Sequence, residues 1–425
     1  MNINTQPNLI FIDSLVADYQ SILANIPPGT PVHQLDNNSH GLEQITEILA
    51  SYRDLTALHI ISHGSNGQLL LGSGVLNGDN LDQYKGLLSA WRLYLGVGAN
   101  ILLYGCMVAE DSQGEKFVKE LATITGAWVA ASDDLTGNPQ LGGDAELEFT
   151  TGNIGHEQVE LVAQLMGNYA GVLQDVTATI TNDTIDGDTS NITALIADPG
   201  VDGGISLREA VIASNNTAGA DQIILQDGQQ HTLSISGTDN TAQAGDLDIS
   251  DTVTITAATT NGATVDAAGI DRVFEVSSNG NLSLENLVVT GGNVGYGGGG
   301  GITLFNGGTL AISNSTITGN TATSGAAFLG GGGIHANNAT VTVSNSTITG
   351  NTANYDGGGV LIQYGTLAIS NSTITGNTAN DDGGGIWADR TTVTVSNSTI
   401  SSNTATADGG GVLIQYGTVA FNSST

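Results

Sequence analysis

Four near-identical segments late in the chain constrain its fold more than any other feature. SNSTITGNTA begins at residues 313, 344 and 370 and SNSTISSNTA at 396, offsets of 31, 26 and 26. A glycine run leads into Ile334, Val360, Ile386 and Val412, each 26 residues after the last. Every unit carries three short runs rich in β-branched residues, of the types GGVLIQY, TLAISNS and TITGN. Three short strands cannot bury their apolar positions alone. Stacked on the next unit they can, which predicts an all-β parallel β-helix solenoid with 26 residues per coil.

Stacking sets like over like at about 4.8 Å, the inter-strand spacing. Asn345, Asn371 and Asn397 are expected to form one amide ladder, and Asn351, Asn377 and Asn403 another. Asp356, Asp382 and Asp408 each precede a glycine triplet and form a third ladder. Carboxylates so close repel one another. They splay into water, or a cation bridges them, for which calcium is the candidate. DGGGVLIQYGT recurs at 356 and 408, so alternate coils match more closely than adjacent ones.

Residues 1–150 follow a different pattern. NLIFID (8–13), TPVHQL (30–35), LTALHIIS (55–62), NILLYG (100–105) and AWVAAS (127–132) read as strands. Between them, residues 14–26, 40–52, 79–95 and 112–126 carry apolar side chains at helical spacing. The alternation predicts a three-layer α/β domain with a mostly parallel sheet. Ligands of such sheets gather beyond the carboxyl ends of the strands. Two strands end there in reactive residues, one in His63-Gly64 and one in Gly105-Cys106, the only cysteine of the chain. An imidazole can take a thiol's proton. The N–H of a glycine can approach an oxyanion closely. Asp13 ends the first strand on the same rim. Two plainer readings remain open. A lone cysteine is often simply a buried core residue. His59 and His63 are spaced like zinc ligands, although on a strand and without the glutamate of HExxH.

LTALHIISHG, ANILLYGC and the 42 residues between His63 and Cys106 resemble the caspase–gingipain class (clan CD) of cysteine peptidases. There an apolar strand ends in His-Gly and a later one in Cys. More closely, LIFIDSLVADYQSIL through GAWVAASDDLTG is similar to an uncharacterised domain family at the N-termini of very large bacterial, often cyanobacterial, surface proteins. The resemblance implies a cysteine endopeptidase with Cys106 as nucleophile, His63 as base and the Gly64 N–H as oxyanion donor. Its substrate would be a peptide or its own linker.

Residues 151–204 read as that linker, with a connecting helix (156–173) and an acidic loop. Asp186, Asp188, Asp198 and Asp202 in the loop match no calcium-loop spacing. No Lys or Arg lies between Lys119 and Arg208, so self-cleavage would follow residues such as Leu165, Asn168, Leu173 or Asp175. ISLREAVIASNN (205–216) predicts a helix. With the strands after it, this stretch resembles the opening of right-handed parallel β-helix adhesin-like proteins, whose first helix caps the solenoid. Those proteins commonly carry Cys where Ile205 stands. The solenoid is thus expected over residues 205–425.

Charge narrows the function. Eight Lys+Arg against 41 Asp+Glu leave −33, which disfavours nucleic acid and anionic membranes. Only Arg208, Arg272 and Arg390 follow residue 120, too few for the clustered cations that pectin-lyase-like β-helices use on acidic sugars. No signal peptide and no apolar run of membrane-spanning length is visible. The sequence stops inside a repeat, at GTVAFNSST. The expectation is the N-terminal part of a large secreted or cell-surface adhesin-like bacterial protein, exported by a non-classical route. Its peptidase-like domain would precede a shaft that meets a cell-surface or matrix ligand, with no cofactor required. The alternative is a non-catalytic protein whose first domain binds or sorts.

Overall fold

The computed structural model describes residues 8–425 apart from 15, 17–18, 37–38, 73, 140–142, 167–168, 170–174, 218–219, 296 and 324–329. The chain divides into two compact units, Met1–Asp175 with Ala218–Ala220, and Val176–Thr217 with Asp221–Thr425. The span read as a linker is therefore shared out. Its helix belongs to the first unit, and its acidic loop is built into the second.

In the first unit the strands are β1 (Asn8–Asp13), β2 (Val32–Leu35), β3 (Leu55–Ile61), β4 (Gly64–Ser65), β5 (Gln68–Leu71), β6 (Gly74–Asn77), β7 (Leu95–Tyr104), β8 (Trp128–Ala131) and β9 (Phe149–Thr150). The main sheet runs β2-β1-β3-β7-β8-β9. All its pairs are parallel except β8 with β9. The helices are α1 (Tyr19–Ala24), α2 (Gly41–Leu49), α3 (Leu81–Ala90), α4 (Ser112–Thr125) and α5 (His156–Met166). Strand residues alternate between two cores, as a pleat requires. Leu9, Phe11, Leu58 and Leu103 pack with α2, α3 and α4. Ile10, Ile12, Ala57 and Leu102 pack with α1 and α5. The predicted three layers are present. The sheet β4-β5-β6 has no counterpart in the sequence reading, because its strands are short and follow a residue pair read as a site.

In the second unit, three parallel sheets of nine, seven and seven strands run along the stack, with a fourth of five two-residue strands. Register follows the repeat: Thr340, Val341 and Thr342 pair with Thr366, Leu367 and Ala368, and these with Thr392, Val393 and Thr394. Inward residues such as Val341, Leu367 and Val393 form one continuous core. The glycine runs are required by close approach. A Cβ on Gly332 would lie 2.5 Å from the Gly358 carbonyl oxygen of the next coil.

One expected amide ladder forms and the other does not. Asn320 Nδ2 donates to Asn351 Oδ1 at 3.1 Å, Asn351 to Asn377 at 3.0 Å and Asn377 to Asn403 at 3.0 Å. The first three of these asparagines are fully buried. Asn345, Asn371 and Asn397 instead take φ of 48° to 49° and turn the chain between strands, exposed to solvent. Asparagine suits that left-handed turn, so its recurrence there has a backbone cause.

SLREA is explained residue by residue. It opens α7 (Leu207–Asn216), which follows α6 (Ile192–Ala197). Ser206 Oγ accepts the Glu209 N–H while Glu209 Oε2 accepts the Ser206 N–H, a capping box. Glu209 Oε1 also takes the N–H groups of Asp186 and Gly187 at 2.7 and 2.8 Å. Arg208, fully buried, grips Asp183 bidentately at 2.6 and 3.2 Å and donates to the carbonyls of Ala242 and Gly245. Leu207 and Ala210 enter the core. The charged residues of α7 thus bind the acidic loop to the helix. Asp186 Oδ2 accepts the N–H groups of Val201 and Asp202 in that loop.

Candidate functional site

β3 and β7 are neighbours in the main sheet. Ile61 pairs with Tyr104, and the Ser62 N–H donates to the Tyr104 carbonyl at 3.0 Å. His63 and Cys106 follow at equivalent places on the two strands. The glycines beside them let the strand ends touch. A Cβ on Gly105 would sit 3.2 Å from Gly64 Cα. Leu70 N–H bonds the His63 carbonyl at 3.1 Å, and Gly64 pairs with Leu69. Antiparallel alternation therefore turns the Gly64 N–H away from β5. Directly after the cysteine, Met107 takes φ 57°, a left-handed conformation that methionine rarely adopts.

The carboxylate beside His63 is Asp175. His63 Nδ1 lies 3.3 Å from Asp175 Oδ1, and both side chains are buried. Burial pushes the Asp175 carboxyl above its ordinary range, and His63 pulls it part of the way back. Asp13, the rim residue visible from sequence, accepts the Gly72 N–H at 2.6 Å. No local signal marks Asp175, which reaches the site only through the fold.

Cys106 is fully buried and His63 is 1% exposed. Thr136 closes over the sulfur: its N–H donates to Sγ at 3.2 Å and its carbonyl faces Sγ at 3.6 Å. The same segment accepts the Met107 N–H at the Asp134 carbonyl (2.6 Å) and the Ala109 N–H at the Ser132 carbonyl (2.9 Å). Residues 132–136 therefore cover the thiol. Of the proposed cleavage positions, Leu165 is buried within α5, Asp175 faces His63, and Asn168 and Leu173 lie outside the described residues.

The zinc reading of His59 and His63 is replaced by a buried hydrogen-bond set. His59 Nδ1 meets Tyr104 Oη at 2.6 Å and Nε2 meets Gln158 Oε1 at 3.0 Å. Burial holds the ring neutral, with its pKa lowered to about 4.

The aspartate ladder of the solenoid finds partners along the stack. Asp356 Oδ1 accepts the Asp382 N–H at 3.3 Å, and Asp382 Oδ1 accepts the Asp408 N–H at 2.7 Å. Melting with and without calcium, in the wild type and in Asp382→Asn, tests the bridging cation. A calcium-dependent rise confined to the wild type supports the bridge, and equal responses of the two count against it. Among the described residues, three acids converge within 4.8 Å at Asp133, Asp134 and Glu148, and at Asp246, Asp248 and Glu275. At the second place Arg272 contacts Glu275 and lies 3.3 Å from Asp246. Burial raises Asp246 to about 8 and Asp248 to about 7.

These units define an α/β domain joined to a parallel β-helix. The family model described as "Domain of unknown function (DUF4347)" matches residues 9–173. The model described as "Right handed beta helix region" matches residues 268–425. Asp175 lies just past the first match. No curated protein matches the chain. A solved structure of a PL6 family alginate lyase, AlyGC in mutant form, is 12% identical and aligns over 93% of this chain with a TM-score of 0.27. The chain spans 60% of that protein's length. Among the described residues no helix is long and apolar enough to cross a membrane.

Proposed function

We propose that the first unit is a latent cysteine peptidase of the caspase–gingipain type, carried by a β-helix shaft that serves a secreted or cell-surface adhesin-like protein. The observation that carries the peptidase reading is the placement of His63 and Cys106 on adjacent strand ends, with His63 3.3 Å from Asp175. In this reading His63 takes the Cys106 proton and the thiolate attacks a peptide carbonyl. The C–N bond breaks as His63 returns the proton to the leaving amine, and water then hydrolyses the thioester. Asp175 positions the imidazole, and the Gly64 N–H faces the developing oxyanion.

Complete burial of Cys106 favours a second reading, a non-catalytic binding or sorting module on the same scaffold. A thiol-directed alkylating probe on the native chain separates the two. The peptidase reading expects Cys106 of the native chain to be labelled through opening of residues 132–136, with the rate falling about 100-fold in His63→Ala, the scale of a lost general base. Labelling only on unfolding, together with self-processing unchanged in Cys106→Ala, would leave the second reading.

A further inference from the structure

At one corner of each late coil a single residue takes a left-handed backbone: Asn306, Asn338, Tyr364, Arg390 and Tyr416, with φ between 49° and 54°. Asparagine accepts that region readily, whereas tyrosine and arginine are strained in it. The strained side chains are also presented outward. Tyr364, with a coil stacked on either side of its own, is 51% exposed. The Arg390 guanidinium lies between the two rings, 5.3 and 5.2 Å from their centroids. It donates to Tyr364 Oη at 3.0 Å, and the Asp389 carboxylate neutralises it at 2.6 Å. On the Asn338 side, Tyr364 borders a groove of about 460 Å³ lined also by Asn338, Thr340, Thr366 and Arg390. Strain kept at exposed positions where a relaxed residue serves on neighbouring coils points to use.

We infer that this groove binds an uncharged polysaccharide. The negative face of an aromatic ring receives the weakly positive C–H edge of a sugar. The Asn338 amide, the Thr340 and Thr366 hydroxyls and Arg390 supply donors and acceptors for hydroxyl groups. Coils repeating at about 4.8 Å offer a periodic lattice to a periodic polymer. Charge decides against an acidic polymer: the chain carries −33, and Asp389 already neutralises Arg390. The inference rests on the adhesive reading of the solenoid.

Affinity electrophoresis of the full chain through gels holding hydroxyethylcellulose, dextran or laminarin, with alginate as the acidic comparison, tests it. Retardation by a neutral glucan and none by alginate is expected. Tyr364→Asn is expected to weaken retardation at least tenfold with a melting temperature unchanged or raised, because asparagine suits the turn. Retardation that survives Tyr364→Asn overturns the groove and leaves an adhesive shaft. Stronger retardation by alginate overturns the choice of an uncharged ligand. No retardation by any of the polymers overturns the groove and the adhesive reading together.

Discussion

Arg208→Leu is expected to destabilise the solenoid by about 3–5 kcal/mol, the range for breaking a buried ion pair by removing one partner. The substitution leaves buried Asp183 without its cation, and the carbonyls of Ala242 and Gly245 lose their donor. Asp183 also accepts the N–H groups of Ser234 and Ile235 at 2.6 and 2.9 Å. The double change Arg208→Leu with Asp183→Leu therefore recovers part of the loss and not all of it, since those two N–H groups are then orphaned. Denaturant unfolding of the three variants measures both steps. A loss below about 1 kcal/mol in the single variant would mean that the cap contributes little to the stack, since the pair is fully buried.

His59 of the first unit and the Asp246–Asp248 pair of the solenoid are expected to contribute to stability with opposite pH dependence. His59 of the first unit is held neutral, with its pKa near 4 instead of 6.5. Its contribution is complete above pH 6.5 and is lost as pH falls towards 4, because the unfolded chain takes up a proton that the folded one refuses. The loss amounts to about 3 kcal/mol, and His59→Gln should flatten it. In the solenoid Asp246 and Asp248 are raised to about 8 and about 7. There the folded state keeps protons that the unfolded state releases. Stability is complete below pH 3.8 and falls as pH rises through 7 and 8. Each carboxyl contributes up to about 1.4 kcal/mol per pH unit within that window. His335, lowered to about 4, opposes the gain below pH 6.5. Hydrogen exchange resolved by unit, between pH 8 and 5, reads both slopes, and Asp246→Asn should reduce the solenoid's.

The solenoid was legible because its repeat is local. Val360, Ile386 and Val412 stack in register, as their 26-residue spacing requires. Each coil makes its backbone hydrogen bonds to the next, so sequence period becomes spatial period. The layers of the first unit were legible for a similar reason: alternation along β1 and β3 and helical spacing between strands specify which faces are covered. Sequence also placed His63 and Cys106 at strand ends. It misassigned Asn345, Asn371 and Asn397, because identical recurrence marks a turn residue and a buried ladder alike.

By itself, then, the sequence determined the coil, the α/β layering, the strong negative charge and the two strand ends that carry a thiol and an imidazole. Only the tertiary structure decided that Asp175 stands beside His63, that Thr136 seals Cys106, and that Arg390 lies between Tyr364 and Tyr416. The physical reason is range. Periodic patterns act through hydrogen bonds and packing between near or repeating residues. The state of a site depends on which distant segments close over it, and no local pattern encodes that.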